Sequence, residues 1–219
     1  MSFSRPLELT NASLSADKEP LVCAPLVGAS EEAVLSELAA IVPKKPELLE
    51  WRVDFFSGIA DTGRVVALAQ AIRGKAGGIP VIFTRRSIRE GGTAIPLDED
   101  QVLAMYQAVC RSGAVDLLDY ELSVEPRHFE AAVALARETG VRLIASFHNF
   151  QETPSADTLL AKFVAMEQAG ADIAKIAVMP KELRDVLTLL DATLSARNTL
   201  QIPLISMSMG GYGSLSRLF

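Results

Sequence analysis

The segment Ala171-Asp172-Ile173-Ala174-Lys175-Ile176-Ala177-Val178-Met179 is a short apolar run with one lysine near its centre. Such a run is typical of a strand that is covered on both faces, as in a parallel sheet. A buried ammonium group is costly unless it is paired or neutral. Burial lowers the pKa of a lysine, and an unprotonated lysine can attack a carbonyl carbon. The strand alone therefore leaves two interpretations of Lys175 equally open, a Schiff-base nucleophile and a structural ion pair.

Composition limits the class of protein. The 219 residues, 49% of them hydrophobic, are enough for one large domain or two small ones, and the net charge of −6 argues against general nucleic-acid binding. Cys23 and Cys110 fit no metal or redox spacing, so we expect both to be buried apolar residues of a reducing compartment. No signal peptide is found in residues 1–20 and no apolar run is long enough to span a bilayer. These features predict a cytoplasmic protein without a membrane partner.

Seven strand-like segments recur roughly 26 to 36 residues apart, which is the size of a βα unit. The strands are predicted over residues 21–24, 47–53, 79–84, 115–120, 141–146, 171–179 and 202–207. The helices between them are predicted over residues 30–42, 61–75, 98–113, 126–140, 155–170 and 181–196. This alternation predicts a parallel sheet with helices outside it, either a doubly wound open sheet or a barrel. The barrel is favoured because the chemically interesting residues follow many different strands instead of one switch point.

The number of strands is one short of a complete barrel. A (β/α)₈ TIM barrel typically needs about 250 residues, and the pattern here stops after the seventh strand. We therefore expect residues 1–219 to form a single (β/α) barrel domain that lacks its C-terminal βα unit. An open seam would then separate the first and seventh strands. The opening segment, residues 3–17, is interpreted as a hairpin or a loose arm.

Two strands carry charged residues that we expect inside the barrel. Glu50 and Arg52 share one face of their strand because residues two apart point the same way, and their apolar neighbours indicate that this face is interior. The following strand ends in a charged loop, where Arg86 shares a face with Thr84 and could bind an oxygen-rich ligand. A solvated charge run is the better interpretation of the flanking Arg85 and Arg89.

The two histidines are interpreted differently. His128 follows a proline near a helix start and is expected to be exposed and inert. His148 follows Ser146 on the same face at the end of a strand that directly precedes the lysine strand. Neighbouring barrel strands would place its imidazole beside Lys175, and a Schiff-base lysine next to a proton-transferring histidine is a coherent pair. Glu121 is expected to point inward, without an assigned role.

The last loop is the candidate anion site. Arg217 follows a glycine-rich stretch, Gly210–Gly213, after the seventh strand, and barrel enzymes often bind anions in the loops after strands seven and eight. A surface arginine is an equally good interpretation of Arg217 from these residues alone. No carboxylate–histidine cluster, Walker loop or dinucleotide fingerprint is found, so we predict no metal and no cofactor.

Five of these segments, in this order along nearly the whole chain, resemble the type I 3-dehydroquinate dehydratase family. The matching segments are residues 50–54, residues 84–86 with 90–92, residues 146–150, residues 175–180, and residues 206–210 with Ser216 and Arg217. Each segment is weak evidence alone, but five in the right order and spacing are highly specific. The resemblance implies a barrel lyase of the shikimate pathway that converts 3-dehydroquinate to 3-dehydroshikimate and that is often a homodimer.

The resemblance also implies a role for each matching residue. Lys175 would form the imine with the C3 ketone, His148 would transfer the proton, and Glu90 would orient the histidine. The residues implied to hold the substrate are Glu50, Arg52 and Arg86 at its hydroxyls, Arg217 at its carboxylate, and Met207 and Phe150 around its ring.

Three departures from the family pattern accompany this resemblance. The eighth strand with its helix and the lid loop that carries a substrate-binding serine and glutamine are absent, and Pro25 stands where some members carry a substrate-binding serine. Two alternatives are kept, another Schiff-base barrel lyase such as a class I aldolase, and a truncated remnant without catalysis.

Overall fold

The structure, a computed structural model, describes residues 7–9, 11–14 and 20–217, except for the side chains of Leu215 and Arg217. Two strands form an N-terminal hairpin, β1 (Leu7–Glu8) and β2 (Ser13–Leu14). The strands of the main sheet are β3 (Cys23–Leu26), β4 (Leu48–Arg52), β5 (Val81–Thr84), β6 (Leu117–Glu121), β7 (Arg142–Asn149), β8 (Ile173–Val178) and β9 (Leu204–Ser208). The α-helices are α1 (Glu31–Ile41), α2 (Thr62–Lys75), α3 (Glu99–Arg111), α4 (Pro126–Thr139), α5 (Ala156–Gln168) and α6 (Leu183–Thr199). The 3-10 helices are Val42–Lys44, Val53–Phe55, Ile88–Glu90 and Tyr212–Arg217.

The seven strands of the main sheet are parallel and lie side by side in chain order, from β3 to β9. Three strands lie between β4 and β8, yet Lys175 Nζ on β8 lies 3.1 Å from Glu50 Oε1 on β4. The sheet is therefore strongly curled. A flat sheet would separate those strands by about 19 Å. This confirms the barrel-type α/β fold. In the part of the chain that the structure describes, β3 and β9 are the two edges and do not pair with each other.

Two apolar cores cover the two faces of the sheet. The larger core lies between the outer face and the helices. The smaller core fills the lower barrel interior with one residue from each of five successive strands, namely Leu48, Ile82, Leu117, Ile144 and Ile173. The hairpin adds Leu7 to this inner core, so the opening segment is a hairpin as far as it is described. This apolar layer occupies the end of the interior where the strands begin, and polar side chains occupy the other end, which we call the upper interior.

Local sequence determines where the helices begin and end. Ser30, Asp61, Asp98 and Ser155 each accept a hydrogen bond from the backbone of the first turn that follows. Strand β7 extends to Asn149, three residues beyond the predicted end, so His148 lies within the strand. Among the described residues, no helix combines the length and the apolar character that crossing a membrane requires.

Three sequence-based expectations about exposure are wrong. Arg85 is buried in an ion pair with Glu99 because it faces the helices. His128 is only 5% exposed because the first turn of α4 packs inward, and its Nε2 lies 2.8 Å from Asp100. Cys23 is exposed because β3 is an edge strand of the open sheet. Cys110 is buried, as expected.

A buried tyrosine connects the end of β5 to β6. The Tyr106 hydroxyl accepts a hydrogen bond from the Arg85 backbone at 2.7 Å and donates one to the Asp119 carbonyl at 2.8 Å. Tyr106→Phe keeps the ring and leaves both backbone groups unpaired, so we expect it to lower the free energy of unfolding by about 1–3 kcal/mol. Chemical denaturation measures this change. Tyr212→Phe is the matched control at an exposed site, and an equal effect of both substitutions would contradict the assignment.

Candidate active site

Lys175 is the centre of the polar upper interior. It lies in the middle of β8, opposite Ser146 of β7 and Ile205 of β9. Its Nζ donates hydrogen bonds to Asp119 Oδ2 at 2.9 Å and to Glu50 Oε1 at 3.1 Å. The side chain of Lys175 is 10% exposed, so both ion pairs are largely shielded from water.

In the free protein Lys175 is in an ion pair, one of the two interpretations that its strand left open. Burial by itself lowers the pKa of Lys175, but the charges of Asp119 and Glu50 outweigh it and raise this pKa above its ordinary value. In the free protein Lys175 is therefore an ammonium group. The apolar strand gave no sign of the two carboxylates, which come from β6 and β4.

Both carboxylates remain ionised for the same reason. Burial opposes the ionisation of Asp119, but Arg86 and Lys175 together hold the pKa of Asp119 well below its usual range. Burial likewise opposes the ionisation of Glu50, and Lys175 and a hydrogen bond from Thr84 lower its pKa. The cations and anions of this interior are thus mutually dependent.

His148 and Glu90 form the second unit of the site. Glu90 Oε2 lies 3.1 Å from His148 Nδ1 and accepts the His148 backbone N–H at 2.9 Å. Its other oxygen accepts a hydrogen bond from Ser123 at 2.6 Å. When Glu90 is ionised it can only accept a hydrogen bond, so Nδ1 then carries the proton and Nε2 of the neutral ring is left as a base. Burial and the positive charges of Arg86 and Lys175 lower the pKa of His148 to about 2, so the ring is neutral.

Two glycines allow the loop after β5 to place Glu90. Gly91 has a φ of +83°, which favours glycine, and a side chain there would collide with the ring of Phe150. A Cβ atom on Gly92 would lie 2.0 Å from the carbonyl oxygen of Arg86. The loop therefore folds tightly back on itself, which aims Glu90 at His148. Phe150, 40% exposed, packs on this loop at the mouth of the site.

Arg86 is buried and connects the two units. Its Nη1 donates to Ser146 at 2.8 Å and to Glu121 at 3.3 Å, and its Nη2 donates to Asp119 at 2.9 Å. Glu90 Oε2 lies 3.6 Å from Nη1. These charge-assisted contacts to several partners fix the position of the guanidinium group. The structure thus brings Arg86 together with Lys175 and His148 through shared carboxylates.

Arg52 is oriented by a neighbouring carboxylate. Its guanidinium donates two hydrogen bonds to Asp54, at 2.8 and 2.9 Å, and its side chain remains 20% exposed. Asp54 also accepts backbone hydrogen bonds from Arg86 and Thr93, which fix it in turn. Arg52 shares a strand face with Glu50 without pairing with it.

The remaining predicted residues lie near the same end of the sheet. Met207 is opposite Ala177, two residues after Lys175, so it lies on the interior face of β9. Arg217 ends the 3-10 helix after β9, and its side chain lies outside the described part of the chain. No group of three or more His, Cys, Asp or Glu side chains in the described residues could hold a metal ion.

Comparison with known proteins assigns the family. The sequence profile described as type I 3-dehydroquinase matches residues 22–219, nearly the whole chain. The chain belongs to the type I 3-dehydroquinase family. This confirms the resemblance drawn from the five segments.

Similar members of the type I 3-dehydroquinase family are closely related over most of their length. The 3-dehydroquinate dehydratase of Aromatoleum aromaticum is 66% identical over 219 residues, which are 100% of this chain and 84% of that protein. The crystal structure of the enzyme from Geobacillus kaustophilus has 48% identity and a TM-score of 0.95, covering 98% of this chain and 82% of that one. A type I enzyme from Clostridium difficile, solved with covalently modified comenic acid, has 32% identity and a TM-score of 0.94 over 98% and 84%.

Three residues of the site received no role from the sequence. Asp119 lies in an apolar strand, and only its alternation with Glu121 indicates that it points inward. Asp54 follows Arg52 at the right spacing for an ion pair, but that spacing is common and gave no signal. Ser123, the hydrogen-bond donor to Glu90, lies in a loop where sequence periodicity carries no information.

Glu90 should make folding stability depend on pH. Burial and the charge of Glu121 raise the pKa of Glu90 from 4.5 to about 7. The folded state therefore holds the Glu90 proton more tightly than the unfolded chain does. The contribution of Glu90 to folding stability decreases as the pH rises from 4.5 to about 7 and is constant above that. A shift of this size corresponds to about 3 kcal/mol.

Glu90→Gln removes this titration. We expect its free energy of unfolding, relative to that of the original protein, to increase as the pH rises from 4.5 to about 7, because only the original protein loses stability there. Chemical denaturation at a series of pH values measures the difference. Glu138→Gln is the control at an exposed position, and parallel pH dependence of the original protein and Glu90→Gln would contradict the assignment.

Proposed function

We propose that the chain dehydrates 3-dehydroquinate to 3-dehydroshikimate through a Schiff base on Lys175. The observation that carries this proposal is the placement of Lys175 and the His148–Glu90 pair on neighbouring strands that face one interior. Membership of the type I 3-dehydroquinase family supports the substrate, because its relatives are named for this reaction.

The first step joins the lysine to the substrate. Lys175 must lose a proton before its Nζ attacks the C3 carbonyl, and His148 Nε2 is the neutral base that faces the same interior. Loss of the lysine charge also raises the proton affinity of His148, since that charge is one cause of its lowered pKa. The carbinolamine then loses water, and the resulting iminium again places a positive charge beside Asp119 and Glu50.

The second step eliminates water from the ring. The iminium withdraws electrons from C2, and His148 Nε2 removes a C2 proton to give an enamine. The enamine electrons expel the C1 hydroxyl, which leaves as water with the proton from His148. Hydrolysis of the new iminium releases the product and restores Lys175, so the net change is the loss of one water molecule. Glu90 keeps the imidazole oriented throughout.

The remaining residues would hold the substrate. Glu50, Arg52 and Arg86 would contact its hydroxyls, Arg217 its carboxylate, and Met207 and Phe150 its ring. Arg52 is the best placed of the arginines, because it is partly exposed and is pre-oriented by Asp54. Three of the five N–H donors of Arg86 bind protein oxygens, so it would reach the substrate with the remaining two.

The family assignment supports a wider setting for the reaction. We propose that the chain acts in the shikimate pathway, in the cytoplasm, on a small-molecule substrate and without a cofactor, a metal, nucleic acid or membrane. A single barrel domain over residues 1–219 and assembly into a homodimer are further proposals.

Reductive trapping tests the Schiff base. Incubation of the 219-residue chain with 3-dehydroquinate and borohydride should leave one stable adduct per chain, and peptide mass spectrometry should locate it on Lys175. Lys175→Ala should give no adduct and no turnover. Lys181→Ala is the control at an exposed lysine and should behave like the original protein. A folded chain without an adduct, or an adduct on another lysine, would overturn the proposal.

Substitution of the histidine should separate imine formation from elimination. His148→Ala removes the base that takes the Lys175 proton, so imine formation should slow, but water can accept that proton during a long incubation and an adduct should still be trapped by borohydride. Turnover, followed by the ultraviolet absorbance of the conjugated product, should fall roughly 10²–10⁴-fold. Glu152→Ala, at an exposed site on the loop after β7, is the control. Unchanged turnover in His148→Ala would exclude His148 as the base.

A further inference from the structure

The loop between β6 and α4 carries a hydroxyl group that contacts the His148–Glu90 pair. Ser123 Oγ donates a hydrogen bond of 2.6 Å to Glu90 Oε1. The loop is anchored directly before this residue, because the Leu122 backbone N–H donates to the Ser146 carbonyl at 2.9 Å. The position of Ser123 is therefore set by the end of the paired strands β6 and β7.

The two oxygens of the Glu90 carboxylate have different partners. Oε2 accepts the His148 backbone N–H at 2.9 Å and lies 3.1 Å from His148 Nδ1. In the described part of the chain, Oε1 has one hydrogen-bond donor, the Ser123 hydroxyl. A carboxylate that is held at both oxygens has a fixed plane, so Oε2 stays aimed at the imidazole ring.

The same hydroxyl favours the ionised form of Glu90. Burial and the charge of Glu121 raise the pKa of Glu90 to about 7, whereas the hydrogen bond from Ser123 and the charge of Arg86 lower it. The charged and titratable groups that face Glu90 in the described residues are Arg86 after β5, Glu121 on β6 and His148 on β7. Among the side chains that lower this pKa, Ser123 can be replaced without removing a charge.

The charge state of Glu90 decides which nitrogen of His148 is the base. An ionised Glu90 leaves the ring hydrogen on Nδ1 and Nε2 free. A neutral Glu90 carries a hydrogen that it can donate to Nδ1, so the hydrogen of the neutral ring then lies on Nε2. In that form Nε2 cannot accept a proton. Since the pKa of Glu90 is about 7, a further rise in it would lower the fraction of molecules with a free Nε2 at neutral pH.

We propose that Ser123 is a positioning residue for the reaction, and that its hydroxyl holds Glu90 in the orientation and ionised form that keep His148 Nε2 free as the base. This inference rests on the proposed dehydratase function. Ser123 lies on an exposed loop, where it lines a cavity of about 330 Å³ to which neither Lys175 nor His148 contributes. It therefore acts through Glu90 and not on the substrate.

Ser123→Val and Ser123→Thr form a matched pair of variants. The two side chains have the same shape, but valine has a methyl group where threonine has its hydroxyl. Ser123→Val removes the hydrogen bond to Glu90 and fills the space that a water molecule could otherwise take. Hydrogen bonds to a charged group are strong, so we expect the pKa of Glu90 to rise by about one unit in Ser123→Val. Ser123→Thr should restore the original value.

Nitrogen-15 NMR of the full 219-residue chain measures this change without turnover. The chain has two histidines, so the signals that are absent from His148→Ala belong to His148. The ring hydrogen should move from Nδ1 to Nε2 as the pH falls through about 7. The midpoint should rise by about one pH unit in Ser123→Val and should match that of the original protein in Ser123→Thr. Ser57→Val, at an exposed serine on the loop after β4, is the control.

The pH dependence of turnover tests the consequence for catalysis. The kcat of Ser123→Val should be about fivefold below that of the original protein at about pH 7, and the difference should disappear at about pH 9. The reason is that a pKa raised by about one unit lowers the ionised fraction of Glu90 only when the pH is near or below it. KM should be unchanged, since Ser123 does not contact the substrate.

Three results would overturn the proposal. They are an NMR midpoint that is equal in Ser123→Val and Ser123→Thr, a ring that gains hydrogen on both nitrogens as the pH falls through the midpoint, and a loss of kcat that is the same at every pH. An unshifted midpoint counts against the role of Ser123, whereas the absence of a Schiff-base adduct on Lys175 counts against the dehydratase proposal. The two failures are therefore distinguishable.

Discussion

The ion pairs of Lys175 with Asp119 and Glu50 are the constraint on which the rest of the site depends. Three charged groups from three strands meet at 2.9 and 3.1 Å in a largely water-free interior. Removing one partner from such a group leaves an uncompensated buried charge, which is strongly destabilising. Arg86 extends the arrangement to Glu121 and towards Glu90, so the position of His148 is also tied to it.

The barrel makes this concentration of charge tolerable by dividing its interior into layers. The lower layer is an apolar plug, which the hairpin completes with Leu7. The polar layer lies two residues further along each strand, because alternate residues face inward. Leu117 and Asp119 on β6, and Ile173 and Lys175 on β8, are such pairs. The plug stabilises the sheet without the charged groups, which can then be arranged for chemistry.

The elements that were predictable from sequence are those that depend on repetition along the chain. The strand–helix alternation gave the parallel barrel-type sheet, and the period of two gave the inward direction of Glu50, Arg52 and His148. Features that depend on contacts between side chains far apart in sequence were missed. Arg85 looks like a solvated charge until Glu99 is placed opposite it. The raised pKa of Lys175 depends on carboxylates that lie 56 and 125 residues away in sequence.

In the proposed reaction the same ion pairs oppose the deprotonation of Lys175 but stabilise the iminium that forms from it. Deprotonation of Lys175 is costly, because it leaves Asp119 and Glu50 without their cation. Attack on the ketone followed by loss of water returns a positive charge to the same nitrogen, as an iminium. The two carboxylates therefore disfavour the neutral amine and stabilise the intermediate that follows it. A site that kept Lys175 neutral by burial alone would make the attack easier, but it would lose this stabilisation of the electron-withdrawing iminium on which elimination depends.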